Sequence, residues 1–221
     1  YYDKFDNVIY AYDNDRYNSQ TRPSSFISPY DDDTYGTSTE FGSKVGRHQT
    51  VKASFYFKDD THREGNLGEP QRTFRDQTYS FGAQDTIQIT SRTTAIVGFS
   101  ADHLDVLNAQ NIVSGTVQPF PRNNVWSYNP QAGIFHALTD SGKLHFTYAR
   151  KTRLPTIKER YSYRMGQAIP NPDLREERSD NFEVGYSELV GLRTFLEVAV
   201  FQSEVSNSTQ RFYVAPNLYQ L

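Results

Sequence analysis

The sequence has no cysteine. Disulfides, thiolate metal sites and thiol nucleophiles are therefore excluded. It also has no run of about 18 apolar residues, so none of it can cross a bilayer as a helix. Barrel strands stay open to it, because they need only about 9–11 alternating residues. Neither charge is in large excess: the formal net charge of −3 argues against a nucleic-acid binder. Blocks of like charge are short, so there is no basic or acidic tail. Helical periodicity is missing except over Thr156–Tyr163, where one turn fits. No internal repeat is present. The opening Tyr1-Tyr2-Asp3-Lys4-Phe5 has neither the basic start nor the apolar run of a secretory signal. The chain starts and stops as if within a structure, which reads as an internal piece of a longer protein.

What the chain does have is aromatic side chains. Hydrophobic residues make up only 36% and charged residues 22%, yet aromatics reach 14%, with 16 Tyr and 15 Phe. A disordered chain is poor in aromatics, so this one folds. Few apolar residues with many aromatics suit strands that are apolar on one face and wet on the other. Val51, Ala53, Phe55 and Phe57 share a parity against Lys52 and Ser54. Tyr79, Phe81, Ala83, Ile87 and Ile89 oppose Ser80, Gly82, Gln84, Thr86 and Gln88. The same alternation recurs in Ala95–Ala101, Val125–Leu138, Leu144–Tyr148, Phe182–Tyr186 and, with Leu192, Leu196–Val200. A weaker one runs through Val8, Tyr10 and Tyr12. Period-2 patterns of this kind mark half-buried strands, and the chain contains about nine of them.

The connections alternate without a break. Short turns fall at 46–48, 90–92, 139–142 and 190–191, and long polar stretches at 13–34, 59–72, 105–123 and 152–178. In an up-and-down antiparallel sheet every second connection lies at the same end. All the short turns therefore lie at one end and all the long loops at the other, as in outer-membrane barrels. A soluble sandwich with Greek-key crossovers would not keep this phase. The expected fold is all-β: part of an antiparallel up-and-down transmembrane β-barrel, about nine strands of a larger one. Polar side chains take the inward parity, apolar ones the outward parity, with Tyr and Trp near strand ends as in interfacial girdles. His136 shares the apolar parity next to a turn, which places it at the periplasmic interface.

Asn171-Pro172-Asp173-Leu174, followed by Glu176 or Glu177, Ser179, Asn181, Glu183, Gly185 and Tyr186, resembles a segment of the barrel of TonB-dependent outer-membrane receptors. Upstream, Tyr148 to Thr156, with Leu154-Pro155-Thr156, is similar to that family's strand end and loop start. The resemblance implies a location in the outer membrane of a Gram-negative bacterium, contact with its lipid, and uptake of a scarce nutrient such as a ferric siderophore or similar metal chelate. It also implies an N-terminal plug, energy relayed through the TonB complex by that N-terminal part, and a barrel of about 22 strands. Plug and C-terminal strands are absent from these 221 residues. A passive porin or adhesin barrel is the alternative, and a soluble all-β binding protein a third reading.

Read without the family, Pro172 keeps Asn171 out of a helix and the Asn and Asp side chains favour a turn. A shape-setting role for this segment is favoured over ligand contact. The five histidines, His48, His62, His103, His136 and His145, are dispersed, and Asp31–Asp33 and Asp59-Asp60 match no EF-hand; solvated loop charge is the plainer reading, and no metal or cofactor is expected. There is no G-x-S-x-G, H-E-x-x-H or phosphate-binding Gly loop. Glu159 and Glu177 could pair as glycosidase carboxylates, but carboxylates are common and nothing singles these out, so no enzyme is expected. The candidate ligand-binding residues are Arg153, Arg160, Tyr161, Tyr163 and Arg164, with Lys158 beside them, all on the 152–178 loop. Arg gives bidentate contact to carboxylate or phosphate, and Tyr gives stacking area with a polar tip. A loop that only covers the mouth, or that binds lipopolysaccharide phosphates, has the same composition.

Overall fold

A computed structural model describes residues 3–19, 28–164, 166–191 and 193–221, with only the backbone described for 3–19 and 28. In chain order its elements are β1 (Asp3–Ser19), β2 (Ser28–Val45), β3 (Gln49–Glu64), β4 (Arg72–Gln88), β5 (Thr93–Asn108), β6 (Gln110–Val113), β7 (Thr116–Pro119), β8 (Val125–Ala137), β9 (Gly142–Arg153), α1 (Ile157–Tyr161), β10 (Ala168–Ile169), β11 (Glu177–Val190), β12 (Thr194–Ser206), β13 (Phe212–Ala215) and β14 (Leu218–Gln220). Nine of them form one sheet in the order β1-β2-β3-β4-β5-β8-β9-β11-β12. Every neighbouring pair in it is antiparallel. The sheet is an unbroken meander, as the phase of the connections requires, and forms part of a barrel wall.

The periodic residues form strands because each parity has a different solvent. On one face Ala95, Ile134, Phe146, Val184 and Val200 lie in register across five strands. Ile134, Phe146, Val184 and Val200 are exposed, as a lipid-facing row must be. On the other face Gln84, Gly98, Gln131, Ala149, Asn181 and Ser203 are in register. Gln131 Nε2 donates to Gln84 Oε1 at 3.1 Å. That bond crosses Gly98, where a Cβ would meet Gln131 Nε2 at 2.5 Å; glycine is what lets the two amides meet. Near the outer end of the lipid face the rings of Tyr79, His103, Trp126 and Tyr128 stack in sequence, His103 and Trp126 at 4.1 Å. His136 lies beside the opposite end, where Nδ1 meets Thr93 Oγ1 at 3.0 Å. Asp85 breaks the outward pattern: it lies in register between Val51 and Val97, and its Oδ1 is buried without a partner.

Three of the expected loops are shorter than their composition suggests. The β1–β2 ladder runs out to Ser19↔Ser28 and β3–β4 to Glu64↔Arg72. Of 13–34, the described residues 13–19 and 28–34 all lie in strands, and 20–27 are not among the described residues; of 59–72 only 65–71 connects. Beyond the bilayer both faces of a strand meet water, so period-2 hydrophobicity ends while the ladder continues. Cross-strand charge replaces it: Arg63 Nη1 binds Asp33 at 2.6 Å, and Arg75 grips Asp59 through two bonds of 2.9 and 2.7 Å. The 105–123 stretch likewise holds the end of β5 and the hairpin β6–β7. The short turns stand where expected, Gly46 and Gly191 taking φ of 66° and 64°, a region open to glycine at little cost. Leu192 and the side chains of Val8, Tyr10 and Tyr12 lie outside the described residues.

Candidate functional site

The connection between β9 and β11 is the most structured of the long ones. Pro155 precedes a capping box: Thr156 Oγ1 accepts from Glu159 N at 3.3 Å, and Glu159 Oε2 accepts from Thr156 N at 2.9 Å. This sets one turn of helix, α1, as the short periodic stretch suggests. Ile157, Arg160 and Tyr161 fall at helical i, i+3, i+4 spacing and are all buried. They bury against the inner wall. Phe74, Val106 and Ala109 form one apolar cluster with Ile157 and Tyr161, and Phe120 packs against it. Phe74 is stacked on Tyr161 at 5.6 Å and on His62 at 6.0 Å. Each such ring or branched side chain buried contributes about 1.5–3 kcal/mol. At its outer end the inward parity therefore carries an apolar patch where the loop covers it, beside buried polar residues of the same face such as His62, Glu64 and Arg72.

The loop is also tied by charge. Glu64, nearly fully buried, accepts from Ser162 Oγ at 2.5 Å and Tyr163 N at 2.9 Å, with Arg72 at 3.8 Å. His62 touches Asp32 through Nδ1 and Glu64 through Nε2, the latter at 3.2 Å. Lys158 Nζ reaches Asp32 Oδ2 at 2.5 Å. At the loop's base Arg153 Nε donates to Glu177 at 2.6 Å and Nη1 to Glu159 at 2.9 Å, which raises the guanidinium above its usual range through those two carboxylates. Glu177 in turn accepts from Thr209 N at 2.5 Å. The segment Asn171–Leu174 is a turn: Asn171 Oδ1 accepts from Asp173 N at 3.2 Å, and Arg160 Nη2 donates to the Pro172 carbonyl at 2.9 Å. Just before it, β10 pairs in parallel with β14, Ala168↔Tyr219, so this loop and the one after β12 are joined by backbone.

The five candidate ligand residues do not share one surface. Arg160 and Tyr161 are fully buried. Burial lowers the Arg160 guanidinium and raises the Tyr161 hydroxyl. Arg160 Nε and Nη1 and Tyr161 Oη have no partner among the described protein atoms. Arg153 is committed to Glu159 and Glu177, which also fixes both carboxylates in a brace rather than opposing them across a substrate gap. Tyr163 is half-buried beneath Arg72, whose Cζ is 4.2 Å from its ring, and its hydroxyl donates to Asn111 at 2.5 Å. Arg164, half-buried in the left-handed region with φ 42°, is neither fully buried like Arg160 nor paired with carboxylates like the more exposed Arg153. The sequence reading missed His62, Glu64, Arg72 and Phe74, which hold the loop down. Their signal was present: His62 and Glu64 keep one parity and Arg72 and Phe74 face them in register. Of the acidic clusters, Asp31 and Asp33 pair with Arg63, Asp59 with Arg75 and Asp60 with Lys58. Among the described residues no group of His and carboxylates is arranged to hold a metal ion.

No curated protein matches the sequence. Solved structures do. The hemophore receptor HasR of Serratia marcescens aligns with a TM-score of 0.68 at 16% identity, over 92% of this chain and 37% of that one. The ferric citrate transporter FecA gives 0.69 at 15% identity, over 98% and 34%. The ferric yersiniabactin uptake receptor FyuA of Yersinia pestis gives 0.61 at 16% identity, over 91% and 33%. At these identities the likeness is one of fold, and the chain spans about a third of the length of each. The family model described as TonB dependent receptor-like, beta-barrel, matches residues 1–221. With that match, the unbroken nine-strand meander, the apolar outer face and the loops gathered at one end, the chain belongs to the β-barrel family of TonB-dependent receptors, proteins of the Gram-negative outer membrane.

Proposed function

We propose that the chain is part of the barrel of a receptor that takes up a scarce metal chelate, a ferric siderophore or a similar complex, with energy relayed through TonB. A plug and further strands belong to the same protein in this reading. The observation that carries it is the loop between β9 and β11, which turns back and packs on the inner wall at its outer end. A loop held there narrows the entrance and offers a ligand a built surface. The neighbours named for hemophore, ferric citrate and ferric yersiniabactin point to metal chelates as the ligand class. Within the loop, Arg164 is the cation best placed to meet an anionic chelate, while Arg153, Arg160 and Tyr161 position the loop and Tyr163 lies between the two roles.

The test is growth of an iron-starved deletion strain carrying the full-length gene, supplied in turn with ferric citrate, a catecholate, a hydroxamate and heme. Rescue by one chelate, lost when the proton-motive force is collapsed, is the expected result. Uptake that survives collapse would make the barrel passive, and rescue by none of them would remove the chelate reading.

A further inference from the structure

Three hollows in the inward face of the wall run into one another. The uppermost, of about 500 Å³, reaches from Lys52 on β3 to Lys151 and Thr152 on β9. It shares Gln84 and Gln131 with a second, of about 180 Å³. That one shares Ile96 and Phe135 with a third, of about 400 Å³, which ends at Arg92 on the β4–β5 turn and at Lys143. Together they make one groove from the base of the β9–β11 loop to the short turns. Lys151 and Lys143, of one parity on β9, mark its two ends, about 26 Å apart along the strand at about 3.3 Å per residue. Volumes of this order suit small molecules.

Glycine cuts the groove into the wall. Gly98 on β5 and Gly133 on β8 stand on the inward parity, in register with Gln131 and Thr147. Their missing side chains leave room that Gln131 and Phe135 take: a Cβ at Gly133 would meet Phe135 Cε2 at 3.1 Å, as one at Gly98 would meet Gln131. The amide and the ring therefore lie along the wall instead of standing into the lumen.

The unpaired charge along the groove is positive. The carboxylates beside it are engaged: Asp102 accepts from Ser127 and Asn129 at 3.0 and 2.7 Å, Asp180 accepts from Arg150 Nε at 2.8 Å, and Glu183 meets His145 Nε2 at 2.9 Å. Glu40, the acid of the lining, stands a loose 3.8 Å from Lys52. Glu197 shares the row of Lys143 but lies two strands away. Lys143 and Lys151 are exposed and have no carboxylate partner among the described residues. Arg92 reaches Asp140, itself fully exposed, at 3.4 Å. The chain as a whole is acidic, with a net charge of −3, so the surplus of free cations here does not come from its composition. A cleft lined by one sign of charge concentrates ions of the other. We propose that the groove is the track on which an anionic chelate passes down the inner wall. Lys151 and Lys52 hold it in the upper hollow, and Lys143 and Arg92 at the periplasmic end, with hydrogen-bond donors from Gln84, Ser100 and Gln131 in between. The inference rests on the uptake of a chelate and gives that uptake a route and a sign of charge.

The experiment uses the full-length receptor in detergent, with any cysteine elsewhere replaced and Ser100→Cys placed in the upper hollow. Its rate of modification is measured with two thiosulfonates of similar size, one ending in a sulfonate and one in a quaternary ammonium. Leu67→Cys, at a position 73% exposed outside the groove, gives the reference ratio of the two reagents. We expect the sulfonate to be favoured several-fold at Ser100→Cys relative to that reference, and the preference to disappear in Lys52→Gln/Lys151→Gln. Excess ferric citrate or a ferric catecholate should slow the sulfonate. Failure of both reagents to reach Ser100→Cys in the assembled receptor, a ratio equal to the reference, a preference undiminished in the double variant, or a rate unmoved by either chelate would each overturn the track. Heat-modifiable migration reports assembly of every variant. The rates need no energised uptake, so failure of the groove and failure of the transport reading are told apart.

Discussion

Val184 lies in the middle of β11, seven residues from Glu177 and six from Val190. At about 3.3 Å per residue and a tilt of about 45°, seven residues span about 16 Å along the membrane normal, close to half of the roughly 30 Å hydrocarbon core. Its neighbours in register are Phe146 and Val200, and its side chain is exposed on the outward face. Val184→Arg therefore puts a cation at the bilayer midplane, where the cost is about 2–4 kcal/mol. That is a fall of about 30- to 700-fold in the folding equilibrium, at 1.4 kcal/mol per tenfold. The assay is a denaturant titration of the full-length receptor in lipid vesicles, followed by heat-modifiable migration. Gln131→Lys, on the same sheet but the inward parity, is the control and should cost less than about 1 kcal/mol, because its charge stays in a wet lumen. Equal losses in the two variants, or no loss in Val184→Arg, would refute the assignment of faces.

Other outcomes follow from single residues. Asp85→Val replaces an outward-facing carboxylate that has an unpartnered oxygen; it should stabilise the barrel in the same titration, by about 1 kcal/mol, acids costing less than bases on the lipid face. Arg153→Ala cuts both links to Glu159 and Glu177. It should speed trypsin cleavage within 154–176 while heat-modifiable migration stays native, and an unchanged cleavage rate would deny the brace. Thr156→Ala removes the N-cap of α1 and should weaken docking of the loop by about 1 kcal/mol, read as faster amide exchange at Ile157–Tyr161.

The membrane-spanning half of the fold was legible because the bilayer imposes a strict pattern there: Phe81, Ala83 and Ile87 outward, Gly82, Gln84 and Thr86 inward. Its topology was legible in the spacing of turns such as Gly46-Arg47-His48. The outer ends of the strands were not, because water on both faces removes the alternation. Asp31, Asp33, Asp59 and Arg63 fall in stretches that read as loops and are ladder residues joined across strands, Asp59 to Arg75. The loop's chemistry was half legible. Its Arg and Tyr residues stood out by type, but type alone does not say that Arg160 and Tyr161 are fully buried while Arg164 stays half-buried. That depends on the partners His62, Glu64 and Phe74, some hundred positions earlier, which no local pattern links to them.

The central claim is that the long connections face the outside of the cell and the short turns the periplasm. These residues contain no cysteine, so single cysteines placed in them, in a full-length receptor with any cysteine elsewhere replaced, report sidedness. Intact cells bearing Gln167→Cys on the β9–β11 loop or His48→Cys on the β2–β3 turn are treated with a membrane-impermeant maleimide. Labelling of Gln167→Cys in intact cells, and of His48→Cys only after the outer membrane is broken, is the predicted result. Labelling of His48→Cys alone in intact cells would contradict it.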